Sequence, residues 1–301
     1  MADPLVLITE AVNAGLAPLG SLAVEERDGI WRDRPALLAA SAGAAALIVR
    51  NQTRVDAELI TAARGLRVVG RLGAGLDNLD LIALRDRGIE VVHGGGINAR
   101  AVAEYVIGAA LDLSRGLSRS DREVRVGGWN RRVGRELRGR VLGVIGLGAT
   151  GAETARLGLA LGMTVLGYDP YLEPPAQVTA AGIGEIARRA DVLTVHVPLT
   201  EATRGLIGAV ELRALPEGAI VVNASRGGII DEEALLAALD EGRLGGVALD
   251  VRASEPPLPG DPFRDREDVL LTAHIAGLTT ESQAAIAAHV LAGVRRVLDA
   301  G

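Results

Sequence analysis

Four stretches of this chain hold residues whose types and spacing could do chemistry. Gly146, Gly148 and Gly151, with Ala149 and Thr150 between them, stand about twenty residues before Asp169, the spacing of a dinucleotide-binding turn and its ribose-binding acid. The first glycine permits a tight turn, the second lets backbone approach a pyrophosphate, and the third allows close packing of helix on strand. The other three stretches carry Arg226, Glu255 and His274. Hydride transfer from a hydroxy acid needs such a set: a cation for the carboxylate, a base for the hydroxyl proton, and an acid to orient and tune that base.

Each stretch follows a segment that reads as a buried strand. The apolar run 141–145 precedes the glycines, and small apolar residues recur at helical spacing over 149–161. The helix N-terminus then faces the phosphates. A second run, 164–167, ends at Tyr168 and Asp169, where a carboxylate can accept both ribose hydroxyls and repel a 2′-phosphate, which favours NAD over NADP. An ordinary strand-turn-helix with a solvated Asp169 is the plainer alternative. Further strands are expected at 192–195, 219–222, 244–249 and 269–271, so that Arg226, Asp250, Glu255 and His274 fall in loops beyond strand ends, where ligands of open α/β sheets bind.

The first part of the chain has the same alternation, with strands expected at 5–8, 45–49, 67–70 and 89–92. Asn98 reads as the N-cap of a helix reaching about Ser118, a polar, Arg-rich stretch follows to about Arg140, and Thr280 with Gln283 forms a capping box for a last helix ending near Leu298. Segments 94–96 and 256–259 are expected as loops, the former a hinge. The fold class is α/β with two parallel-sheet domains: a Rossmann-type NAD domain, 98–277, inserted in a flavodoxin-like substrate domain, 1–97 plus 278–301.

Composition bounds the chemistry. The 301 residues are long enough for two cores, and a net charge of −6 argues against a nucleic-acid partner. No apolar run approaches the roughly 20 residues that span a bilayer, and Asp3 and Glu10 flank a short strand where a secretory signal would be basic and then apolar, so a cytoplasmic location is expected. There is no cysteine, and all 32 basic residues are arginine, which removes thiolate nucleophiles, Schiff-base lysines and a Walker-type lysine. No metal site is expected. His93, His196, His274 and His289 are left as proton carriers near neutral pH; His196 reads as a packing residue, His93 and His289 as structural or exposed, and Glu104 as an anchor of its helix.

With these residues in order, joined by Arg71 to Asn78, Ala101 to Glu104 and His196 to Thr200, the chain resembles the D-isomer-specific 2-hydroxy acid dehydrogenase family from about residue 45 onward. The resemblance implies that Arg226 clamps the substrate carboxylate and carbonyl, that His274 is the acid/base, and that Glu255 hydrogen-bonds His274 and raises its pKa. It implies that Gly73, Ala74 and Gly75 hold the carboxylate through backbone groups, that Asp250 and Pro198 border the nicotinamide and adenosine, and that Thr203 and Ala224 belong to the same cofactor site. Arg50 and Arg71, at ends of first-domain strands, could bind a second anionic group on the substrate: they are similar to positions that contact the phosphate in phosphoglycerate dehydrogenases, and the stretch 49–53 is similar to sulfolactate dehydrogenases; surface cations are the plainer reading. The helix after Asn98 and the stretch around Trp129 resemble the family's dimer-forming region, implying a homodimer in which Arg131 or Arg132 reaches a neighbouring site. The chain departs from the family pattern at Ala149, Arg252, where an aromatic is usual, Ala273, and 93–96. Neither an appended regulatory segment nor effector control is expected. A non-catalytic NAD-sensing protein, a glyoxylate- or hydroxypyruvate-type reductase, and an enzyme of formate or phosphite oxidation stay open as alternatives.

Overall fold

A computed structural model describes residues 5–12 and 15–300; Asp3 lies outside the described residues. The strands are β1 (Leu5–Ile8), β2 (Ala23–Glu26), β3 (Ala44–Val49), β4 (Val68–Arg71), β5 (Glu90–His93), β6 (Val141–Ile145), β7 (Thr164–Tyr168), β8 (Thr179–Ala180), β9 (Val192–Val195), β10 (Ala219–Asn223), β11 (Leu244–Leu249) and β12 (Val269–Leu271). The helices are α1 (Arg34–Ser41), α2 (Ala57–Ala62), α3 (Leu81–Asp86), α4 (Ala99–Arg115), α5 (Leu117–Arg125), α6 (Ala149–Ala160), α7 (Ile183–Arg189), α8 (Ala209–Ala214), α9 (Glu232–Asp240) and α10 (Thr280–Asp299). The chain divides into two units, Met1–Asn98 with Leu278–Gly301, and Ala99–Gly277.

In the first unit five parallel strands run in the order β2-β1-β3-β4-β5, the flavodoxin-like order with its reversal between β1 and β3. Residues alternate across the sheet as a period of two requires. Val6, Ile8, Ala46, Ile48 and Val68 pack under α10, while Leu7, Leu47, Val49 and Val69 pack against Leu37 of α1, Leu59 and Ile60 of α2 and Leu84 of α3. The terminal helix sits close because glycine stands where it crosses: a Cβ on Gly70 would meet Val294 Cγ2 at 2.8 Å, and one on Gly293 would meet Val92 Cγ1 at 2.5 Å. Val290, Leu291 and Val294 are fully buried there, each stabilising by about 1.5–3 kcal/mol over an exposed side chain. Aspartates 33, 56 and 80 cap α1, α2 and α3 by accepting from the third backbone N–H onward.

The second unit has seven parallel strands in the order β12-β11-β10-β9-β6-β7-β8, a Rossmann order with the reversal between β6 and β9. One face is covered by α7, α8 and α9, whose Ile186, Leu212 and Leu235 pack on Ile145, Leu193, Val195, Val221 and Val247. The other carries α4 and α6, with Val106, Ala110 and Ala155 on Leu142, Val144, Val192, Val222 and Ala248.

Three local expectations change. The helix expected from Asn98 to Ser118 is two helices, because Gly116 takes a left-handed φ of 63° and breaks it. Part of the polar stretch beyond Ser118 is therefore the helix α5, whose lack of buried residues hid it from a search for apolar periodicity. The capping box of α10 uses Thr279 with Ser282 instead of Thr280 with Gln283: Thr279 Oγ1 accepts from Ser282 N at 3.1 Å. Two adjacent threonines made either register possible; the chain takes the one that buries Ser282 and Ile286. β2 and the two-residue β8 went unrecognised, since both lie at sheet edges with exposed, mixed sequences.

Candidate active site

The glycine turn after β6 is built as dinucleotide recognition requires. Gly146 has φ 93°, and a Cβ on it would lie 2.5 Å from the His196 carbonyl oxygen. A Cβ on Gly151 would lie 1.8 Å from the Gly146 carbonyl oxygen, so only glycine lets the helix start against the turn. Gly148 is different: nothing stands within 4 Å of its virtual Cβ, and as the N-cap of α6 it supplies no side-chain cap. The first-turn N–H groups of α6, at Ala149 and Thr150, therefore face outward without a side-chain cap, an arrangement that fits a pyrophosphate. Asp169 follows β7 and is tied to the same turn, its Oδ2 accepting from Leu147 N at 2.8 Å and its Oδ1 from Tyr171 N and Leu172 N. Burial alone would raise the Asp169 carboxyl, but these three backbone donors hold it below the ordinary value. It is a fixed anion, fit for ribose hydroxyls.

Parallel strands place Pro198, Ala224, Arg226, Asp250, Glu255 and His274 in loops beyond one edge of the sheet, with Gly146. Thr203 Oγ1 donates to the Pro198 carbonyl at 2.6 Å and closes the loop after β9. After β10, Asn223 Oδ1 accepts from Ser225 N, Ser225 Oγ donates to the Val197 carbonyl, and the Arg226 guanidinium donates to the Ser225 carbonyl at 2.7 Å.

His274 meets Glu255 directly, Nδ1 to Oε2, at 2.8 Å, with side chains 45% and 38% exposed. Its backbone is left-handed, φ 55°, a conformation that a non-glycine residue keeps only when its surroundings impose it. Asp250 imposes it. The Asp250 carbonyl accepts from His274 N at 2.8 Å, Oδ1 accepts from Ile275 N at 2.8 Å, and Oδ2 accepts from Ala276 N at 2.9 Å. Oδ1 also accepts from Thr272 Oγ1 at 2.6 Å, and Thr272 Oγ1 lies 2.6 Å from the Tyr105 hydroxyl of α4. Burial pushes the Tyr105 phenol up to about 12, so it stays a donor, Tyr105 to Thr272 to Asp250. With 1% of its surface exposed, Asp250 clamps the His274 loop. Tyr105 and Thr272 were not singled out; the signal was a tyrosine on an otherwise small-residue helix face.

In the first unit, Arg50 and Arg71 both stand at the carboxyl edge of the sheet, after β3 and at the end of β4. Arg50 Nη2 donates to Gln283 Oε1 of α10 at 2.8 Å. Its loop is held by buried Glu10, which accepts from Arg50 N, Gln52 N and Thr53 N. The Arg71 guanidinium folds over Gly73, where a Cβ would sit 1.4 Å from Nη1, and Ala74 and Gly75 follow half-buried. His93 ends β5 beside Arg71, and its Nδ1 is buried. Glu104 accepts from Arg100 one turn earlier on α4. His196 sits behind the glycine turn with Nε2 3.1 Å from Thr194 Oγ1. Among the described residues no group of three or more His, Cys, Asp or Glu could hold a metal ion, and no helix is long and apolar enough to cross a membrane.

These features define a dinucleotide-dependent α/β protein, and comparison with known proteins agrees. Residues 107–276 match the family D-isomer specific 2-hydroxyacid dehydrogenase, NAD binding domain. The chain is 44% identical over 244 residues to D-3-phosphoglycerate dehydrogenase of Archaeoglobus fulgidus, covering 79% of this chain and 46% of that one. It is 42% identical over 275 residues to (S)-sulfolactate dehydrogenase of Chromohalobacter salexigens, covering 88% of each. Its fold matches the crystal structure of a glyoxylate reductase from Paecilomyes thermophila with a TM-score of 0.88 at 26% identity, covering 99% of this chain and 96% of that one. The chain belongs to the D-isomer specific 2-hydroxyacid dehydrogenase family, and its second unit holds an NAD-binding domain. It spans about half the length of the phosphoglycerate dehydrogenases it matches, 46% in one case and 53% in another.

Proposed function

We propose that the protein is an NAD-dependent D-2-hydroxy acid dehydrogenase. The observation that carries this reading is the 2.8 Å pairing of His274 Nδ1 with Glu255, in loops neighbouring that of Arg226 on a dinucleotide-binding sheet. A carboxylate at Nδ1 fixes that nitrogen as the one bearing hydrogen and leaves Nε2 to exchange the substrate proton. Nicotinamide bound at this sheet edge supplies or accepts the hydride at carbon 2 of the acid. In oxidation, neutral His274 takes the hydroxyl proton as carbon 2 gives up its hydride and becomes the carbonyl; in reduction, protonated His274 returns a proton to the oxygen. Arg226 grips the substrate carboxylate through its planar fork.

The substrate we favour carries a second anionic group, of the 3-phosphoglycerate or 3-sulfolactate type. Arg50 and Arg71 at one sheet edge support that, as do the names of the two relatives. We also propose that Gly73, Ala74 and Gly75 offer backbone donors to the carboxylate, and that Pro198, Thr203 and Ala224 line the cofactor. The working form we propose is a homodimer in the cytoplasm. Support for the dimer is a set of exposed apolar side chains on and after α5, Leu117 55%, Val126 87%, Trp129 81% and Val133 98% exposed, which association would take out of water. A second copy would cover it, with Arg131 or Arg132 reaching the neighbouring site.

The deciding experiment is NADH or NADPH oxidation with phosphohydroxypyruvate, sulfopyruvate, hydroxypyruvate, glyoxylate and pyruvate. Faster turnover of phosphohydroxypyruvate or sulfopyruvate, lost in Arg50→Ala or Arg71→Ala, supports the substrate assignment. A preference for glyoxylate or pyruvate overturns it, and no turnover by folded, NADH-binding protein overturns the enzyme itself. Sedimentation of Trp129→Glu against the parent tests the dimer.

A further inference from the structure

Arg252 stands in the loop between β11 and Glu255, and its guanidinium is enclosed. It donates to Asp261 through Nη1 at 2.6 Å and Nη2 at 2.8 Å, and to Glu232 Oε2 at the start of α9 through Nη2 at 3.0 Å. Its face lies 4.8 Å from the centre of the Phe263 ring. Only 10% of the Arg252 side chain and 8% of Asp261 are exposed. The hydrogen bond from Arg252 holds the Asp261 carboxyl below the usual carboxylate range.

This network ends at the reacting groups. The Arg252 backbone N–H donates to Glu255 Oε1 at 3.1 Å, while the other oxygen of Glu255 meets His274. Glu232 also accepts from Ala253 N at 2.7 Å, so both backbone and side chain of the loop are held. On its other side the loop touches the residue after Arg226: a Cβ on Gly227 would lie 2.0 Å from the Arg252 carbonyl carbon and oxygen. One loop thus orients Glu255 and leaves no room for the Arg226 segment to shift toward it.

We propose that Arg252 is a positioning residue for the reaction: anchored by Asp261 and Glu232, it fixes the loop that presents Glu255 to His274 and braces Arg226. The inference rests on the catalytic reading of those three residues. A misplacement of about 1 Å in such a group can cost on the order of 10²-fold in rate, so the effect is on turnover.

The test compares Arg252→Gln, Arg252→Lys, Asp261→Asn, Glu255→Gln and Arg252→Gln/Glu255→Gln in the full chain. The measurements are kcat and KM for hydroxypyruvate reduction, NADH affinity, and the ring-nitrogen NMR signals of His274, assigned with His274→Gln. Arg252→Gln is expected to lower kcat about 10- to 100-fold with NADH affinity unchanged, Arg252→Lys and Asp261→Asn to fall between, and the double variant to match Glu255→Gln alone. Without any turnover, the Nδ1 signal of His274 in Arg252→Gln, or in Arg252→Lys should the glutamine variant not fold, is expected to move toward that in Glu255→Gln. Parental kcat and Nδ1 signal in folded Arg252 variants would overturn the proposal, as would losses that multiply in the double variant. If Glu255→Gln itself keeps full kcat on a substrate the parent reduces, the catalytic reading fails instead.

Discussion

Glu255 Oε2 lies 2.8 Å from His274 Nδ1, and the second oxygen of the same carboxylate accepts from the backbone of Arg252. The carboxylate is therefore held from behind while it faces the imidazole. An acid that only met solvent would set neither the tautomer nor the angle of the ring.

Replacing His274 with Gln should lower kcat for reduction by about 10²- to 10⁴-fold, the range of general acid/base assistance. NADH affinity should stay near that of the parent, because the glycine turn is untouched. Titration of NADH fluorescence beside steady-state kinetics checks both; equal losses in the two would mean that the loop collapsed.

The three glycines of the turn should respond differently to alanine. Gly146→Ala and Gly151→Ala place a Cβ 2.5 Å and 1.8 Å from carbonyl oxygens, so both should lower the melting temperature and abolish NADH binding. Gly148→Ala has open space around the new methyl; it should fold normally and weaken NADH alone. Melting curves and calorimetric titration separate the cases, and a destabilised Gly148→Ala would contradict this account.

Asp169 should set the choice between coenzymes. Removing its charge in Asp169→Ser relieves repulsion of a 2′-phosphate, so the ratio of kcat/KM for NADPH to NADH should rise. Its bonds to Leu147, Tyr171 and Leu172 add a cost: NADH affinity should fall as well. An unchanged ratio would remove Asp169 from the ribose site.

Stability should fall with acidity through His196. Burial pushes its imidazole from 6.5 down to about 4. Below the unfolded value the unfolded chain takes up a proton that the folded chain refuses until near pH 4, so stability declines from about pH 6.5 to about 4 and levels off below. His196→Gln should flatten that part of the curve of melting temperature against pH; an unaltered slope would assign it to other groups.

Much of this was legible in the sequence, for physical reasons. Buried parallel strands are continuous apolar runs, and the bounds of β6, β9 and β11 can be read to the residue because both faces of the sheet are covered. The glycines of the turn announce themselves because no other residue fits two of the three positions. What stayed hidden depends on tertiary neighbours. That the Asp250 carboxylate clamps the His274 loop shows only when Thr272, Ile275 and Ala276 are seen to donate to it. Arg252 looks like a departure until Asp261 and Phe263 fold back over it. The break at Gly116 turns on a single backbone angle.

The groups proposed to move the proton and hold the reacting carboxylate, His274 with Glu255 and Arg226, belong to the segment Ala99–Gly277, whereas Arg50 and Arg71 belong to Met1–Asn98. If Arg50 and Arg71 choose the acid as proposed, selection can retune which acid is accepted by altering one module while the other is inherited intact. On that assignment, exchanging the first module between members of the family would transplant appetite without rebuilding the engine.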